Sequence, residues 1–98
     1  MKKVLFKNYF NIKDLAKITN KQTQTIRSWE KKGIIDKPIN KDANGWRQYS
    51  KYEMITCLER IVKHDWQRKV IKNEKEINLI IAYLKGEANY EDVISIIK

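Results

Sequence analysis

Apolar positions recur along this chain at helical spacing in four stretches, and one stretch between them breaks the pattern. From Asn11 to Thr19 the apolar residues are Ile12, Leu15, Ala16 and Ile18, one face of a helix. Asn11, with Asp14 three residues on, supplies a start signal. Thr19-Asn20-Lys21 reads as a short turn. The next segment, Gln22 to Lys32, holds only Ile26 and Trp29 as apolar members, three apart and therefore on one face. Gly33 stops it, Lys31 and Lys32 occupy the last turn, where the helix dipole favours cations, and Ile34 and Ile35 return to the core. Residues 36–50, DKPINKDANGWRQYS, carry the sole Pro and an Asn44-Gly45 turn signal, which predicts a ribbon of 38–41 paired with 46–49. Ser50 and Glu53 open a third helix running to about Lys69, with the stripe Met54, Ile55, Leu58, Ile61, Val62. Asn73 caps a fourth, with Ile77, Ile80, Ile81 and Leu84, which Gly86 ends. Asn89 caps a short fifth, apolar at Tyr90, Val93, Ile94 and Ile97.

The predicted order is helix, tight turn, helix, β-hairpin, then three helices. This is a mainly α fold of about five helices with a small β-hairpin wing, a winged helix-turn-helix. At 98 residues it is one domain. Residues 1–72 form the expected winged helix-turn-helix region, and 73–98 are expected to form C-terminal helices that complete the core and offer a surface for self-association.

On a wheel at 100° per residue, Gln24, Arg27, Ser28 and Lys31 point away from the Ile26/Trp29 side, with Thr25 and Lys32 on the flank. These side chains suit a DNA major groove. Arg pairs with guanine and Gln with adenine through two hydrogen bonds, and Ser or Thr serve either. Gln24, Thr25, Arg27 and Ser28 are thus the expected base contacts, and Lys31 and Lys32 the expected phosphate contacts. The plainer alternative is a merely solvated polar face. In the ribbon, Arg47 and Tyr49 share one strand face and are expected at the phosphate backbone. Against this, Trp46 or Tyr49 is expected to fill core space, because large aromatics in small domains are usually structural.

Charge sharpens the picture. Residues 1–72 hold 18 Lys and Arg against 7 Asp and Glu, whereas 73–98 hold 3 against 5, within a total of +9. A basic region points to nucleic acid, although frequent Lys, Asn and Ile also have a purely compositional origin. No apolar run approaches the ~20 residues of a membrane span. The apolar stretch near the N-terminus is broken by Lys7 and Asn8, short of a secretory signal. Cys57 is alone, so an internal disulfide is impossible, and a cytoplasmic location is expected. With one His (His64) and one Cys no four-ligand zinc site can be built. No nucleophile pairs with a base and no Gly-rich loop cradles phosphate. Neither enzyme activity nor a metal or cofactor is expected.

The segments FNIKDLAKITNKQTQTIRSWEKKGII, P…NGWRQYS and YEMITCLERI resemble the MerR-type winged helix-turn-helix over about residues 10–85. The most specific part is Glu30, Gly33, Gly45-Trp46-Arg47 and Tyr49-Ser50. The resemblance implies a recognition helix in the major groove, with Arg47 and Tyr49 at phosphates. It also implies that Trp29 is a backbone contact, where the wheel makes it core. Ser28 departs from the usual aromatic, and Gln22 replaces the usual Ser cap. Only residues 89–97 follow the wing and its two helices, about 13 Å of helix. MerR regulators continue there into a long pairing helix and an effector domain. The closer resemblance is to small members from phages, plasmids and integrative elements, with no small-molecule effector expected.

The expected function is sequence-specific binding of double-stranded DNA, as a transcription regulator or an architectural or excision-type factor, by a homodimer or a head-to-tail oligomer. The alternative is a protein-interaction adaptor or anti-repressor that uses the apolar last helix to hold a partner.

Overall fold

A computed structural model describes residues 7–68 and 74–97, and the side chains within these except 65–68, 74 and 94–97. Five helices and three short strands follow one another as β1 (Tyr9–Phe10), α1 (Ile12–Thr19), α2 (Thr23–Lys31), β2 (Asn40–Lys41), β3 (Arg47–Ser50), α3 (Lys51–Arg68), α4 (Glu74–Leu84) and α5 (Tyr90–Ile97).

Local chemistry explains most boundaries. Asn11 Oδ1 accepts from the Asp14 N–H and Asp14 Oδ2 from the Asn11 N–H, both at 2.9 Å, a reciprocal cap that starts α1. Lys7 adds an ion pair to the buried Asp14 at 2.9 Å. Asn20 closes α1 in the left-handed conformation, φ 57°. Helix α2 starts at Gln22 with no side-chain cap. It ends where Gly33, φ 77°, lets the Gly33 and Ile34 N–H groups bond back to the Glu30 and Trp29 carbonyls. Ser50 and Glu53 form the expected reciprocal cap of α3, at 3.0 and 3.1 Å. The expected Asn73 cap of α4 lies outside the described residues, as do the side chains of Ile94 and Ile97.

The hairpin differs in detail from its prediction. Asn40 faces Gln48 and Lys41 faces Arg47. The connection is a three-residue loop: the Gly45 N–H bonds the Asp42 carbonyl at 3.0 Å, and Gly45 takes φ 81°. Asp42 Oδ1 accepts from the N–H groups of Asn44 and Trp46, each at 2.9 Å. A third strand was not anticipated. Tyr9–Phe10 pairs antiparallel with β3, giving the sheet order β1-β3-β2. Burial drives it, since Phe10 lies opposite Tyr49 and both are in the core.

One hydrophobic cluster gathers Leu15 and Ile18 from α1, Ile26 and Trp29 from α2, Tyr49 from β3, and Met54, Leu58 and Ile61 from α3. It continues through Ile77, Ile80, Ile81 and Leu84 of α4 to Val93 of α5. The fold is the mainly α winged helix-turn-helix expected. The last helix packs on α4, and Val93 is completely buried.

Candidate nucleic-acid interface

The candidate interface is built on α2, whose two sides differ sharply. Ile26 is fully buried and Trp29 is 5% exposed. On the other side Gln24, Arg27, Lys31 and Lys32 are exposed, and Thr25 and Ser28 are half-buried. The α1–α2 turn is short because Asn20 adopts a positive φ and Lys21 N–H bonds the Ala16 carbonyl at 2.9 Å. That turn sets α2 across α1 with its polar side outward.

A cleft of about 450 Å³ separates this side from the hairpin. Lys13 comes from the first turn of α1, Thr23 and Arg27 from α2, and Asp42, Trp46 and Arg47 from the hairpin. Trp46 is 57% exposed, a large flat side chain left outside the core. Asp42 is the acidic member, and its carboxylate is engaged in closing the hairpin loop.

Two expected phosphate contacts are corrected by the structure. Tyr49 is completely buried and its hydroxyl donates to Glu30 Oε2 at 3.0 Å. Burial, followed by the Glu30 charge, pushes its phenol well up, so it stays a protonated donor. Tyr49 therefore belongs to the core and not to a phosphate. Trp29 is likewise a core residue, as its helical spacing from Ile26 implies and against the backbone role that the resemblance implies.

Arg47 is placed between these cases. Its side chain is 27% exposed, its Nε donates to Glu30 Oε2 at 3.0 Å, and its Nη2 meets Oε1 at 2.9 Å as an ion pair rather than an aligned hydrogen bond. Arg47 and Tyr49 do share a strand face, as predicted, but that face turns inward onto α2. Glu30, in the last turn of α2 with its side chain 1% exposed, receives both. Sequence reasoning assigned Glu30 no role. The signal was its spacing, since a residue four after Ile26 lies on the same, buried, side of the helix. Lys13 and Trp46 were also missed as members of the cleft.

Elsewhere the chemistry is quiet. Among the described residues no group of three or more His, Cys, Asp and Glu could hold a metal ion. Burial pushes the Cys57 thiol up to about 12, which leaves it a poor nucleophile near neutral pH. Among the described residues no helix is long and apolar enough to cross a membrane.

No curated protein and no solved structure matches the chain. Residues 10–63, more than half of it, match the MerR HTH family regulatory protein family. That span begins at Phe10 in β1 and ends within α3, so it encloses the whole of α2, the hairpin and Glu30. The chain belongs to the MerR helix-turn-helix family of DNA-binding regulatory proteins.

Proposed function

We propose that this chain is a sequence-specific binder of double-stranded DNA, with α2 lying in a major groove. Gln24, Thr25, Arg27 and Ser28 read base edges, and Lys31, Lys32 and the outer edge of Arg47 meet phosphates. The observation that carries this reading is the bare polar side of α2, exposed beside a cleft rimmed by Lys13, Arg27 and Arg47 while Ile26 and Trp29 anchor the helix from behind. A helix anchored on one side and open on the other fits the groove, and its N-terminal half reaches the bases. The setting we propose is regulation or DNA architecture, as the match to a family of regulatory proteins supports, and a phage, plasmid or integrative element is the source we propose for it.

Selection of bound sites from random duplex DNA tests the reading. An inverted repeat would identify a dimer and direct repeats a head-to-tail array. No enrichment would refute sequence-specific recognition. A footprint of six phosphate contacts should lose roughly 10³-fold in affinity from 50 to 200 mM salt.

A further inference from the structure

Arg47 is both an expected phosphate contact and the partner of a buried carboxylate, and the two roles compete for its charge. Glu30 has almost no access to water, so a cation must compensate it, and among the described residues Arg47 is the cation that touches it. Tyr49 donates to the same carboxylate oxygen as Arg47 Nε. One carboxylate thus ties the end of the recognition helix to two residues of the wing strand.

The tie also orients the guanidinium. Of its five N–H donors, the edge built from Nε and Nη2 faces Glu30. The edge built from Nη1 is the one left for a phosphate. Arg47 lines the cleft together with Arg27 and Lys13, which make no ion pair among the described residues.

We propose that Glu30 is a positioning residue for DNA binding: it anchors the Arg47 guanidinium at the rim of the cleft and cancels its charge. The wing then holds a duplex by the placement of donors rather than by net charge. A neutral pair displaces few counterions from DNA, so this contact adds little to binding on random sequence. It contributes only where the recognition helix has brought a phosphate into register. The pair therefore widens the ratio between specific and random binding. The inference rests on the DNA-binding reading above.

Fluorescence anisotropy from 50 to 200 mM NaCl, on a random duplex and on the best selected duplex, tests it with wild type, Glu30→Gln and Glu30→Gln/Arg47→Gln. Glu30→Gln keeps an acceptor for Tyr49 and releases the full charge of Arg47. Its salt dependence should steepen by about one ion, an extra loss of about three- to fourfold across that range, and the specific-to-random ratio should narrow. The double variant should return to the wild-type slope while the ratio stays narrow. An unchanged slope and ratio in Glu30→Gln would overturn the proposal. So would a double variant whose slope falls one ion below wild type, because Arg47 would then already act as a full charge. Thermal melting without DNA checks folding, and the double variant, which leaves no unpaired ion, carries the test if Glu30→Gln does not fold. Amide exchange in the free protein reads the anchoring separately. Exchange at Asn40, Lys41, Arg47 and Gln48 should quicken in Glu30→Gln while α1 is unaffected, and equal rates would refute the anchor. If wild type ignores salt on both duplexes, the DNA-binding reading fails, and the exchange result still decides the anchor.

Discussion

Helices α1 and α2 are eight and nine residues long, adjacent, and packed on each other, yet they are held by different means. Helix α1 carries its own stabilisers: a reciprocal cap at Asn11 and Asp14, an ion pair from Lys7, and a left-handed stop at Asn20. Six of its eight residues are buried. Helix α2 has no side-chain cap, and only Ile26, Trp29 and Glu30 are buried. It stays helical because those three residues are fastened from behind, two by apolar packing and one by the wing. A short helix is marginal by itself, so tertiary packing must supply what local chemistry does not. The difference shows how one fold divides labour. The helix that builds the core encloses its side chains, and the helix proposed to read DNA keeps most of its surface free.

That contrast can be broken or sharpened by mutation. The largest effect is expected at Ile26→Ala, which removes a fully buried side chain from the least self-sufficient helix and should cost about 2–5 kcal/mol in urea denaturation. A loss under 1 kcal/mol would show that α2 does not depend on packing. Next comes Arg27→Ala, one position along and exposed. It should leave the unfolding midpoint nearly unchanged, yet cost about 1–3 kcal/mol in DNA affinity and relax preference at one base, as read by site selection. A large drop in stability instead would place Arg27 among the scaffold residues. Caps should give smaller differences: Asn11→Ala should destabilise by about 1 kcal/mol, and Gln22→Ser should stabilise by up to about 1 kcal/mol. Equal losses from alanine at both positions would erase the distinction between the helices.

The smallest effect concerns Glu53, at the start of α3. Its slight burial would raise the carboxyl, but hydrogen bonds from the Ser50 and Ile39 backbone N–H groups outweigh this and hold it below its ordinary value. A depressed carboxyl contributes stability that is present above its unfolded pKa and is lost as pH falls through its folded pKa. Glu53→Gln should therefore lower stability at neutral pH slightly and flatten the acid side of the curve. An unchanged pH profile would mean that these bonds do not hold the carboxylate in solution.

The caps at Asn11 and Ser50, the stripes of α3 and α4, and the buried pair Ile26 and Trp29 were legible because each depends on spacing within a few residues. Strand β1 was not, because two residues show no periodicity and pair with a strand some forty positions away. The ribbon was legible as a hairpin but not in its direction. A period of two places Arg47 and Tyr49 together and leaves open which way their shared face turns.

The sequence by itself determined the caps of α1 and α3, the polar side of α2, the presence of a turn at Gly45 and the basic character of the first three quarters, all properties of near neighbours or of composition. Only the tertiary structure decided that the wing face carrying Arg47 and Tyr49 meets Glu30 rather than solvent. A buried carboxylate and its partners lie 17 and 19 residues apart, and their meeting depends on how the hairpin folds back over α2. Burial then converts Tyr49 from a candidate DNA contact into core and makes Arg47 the partner of an internal charge, because a carboxylate removed from water must find its cation within the protein.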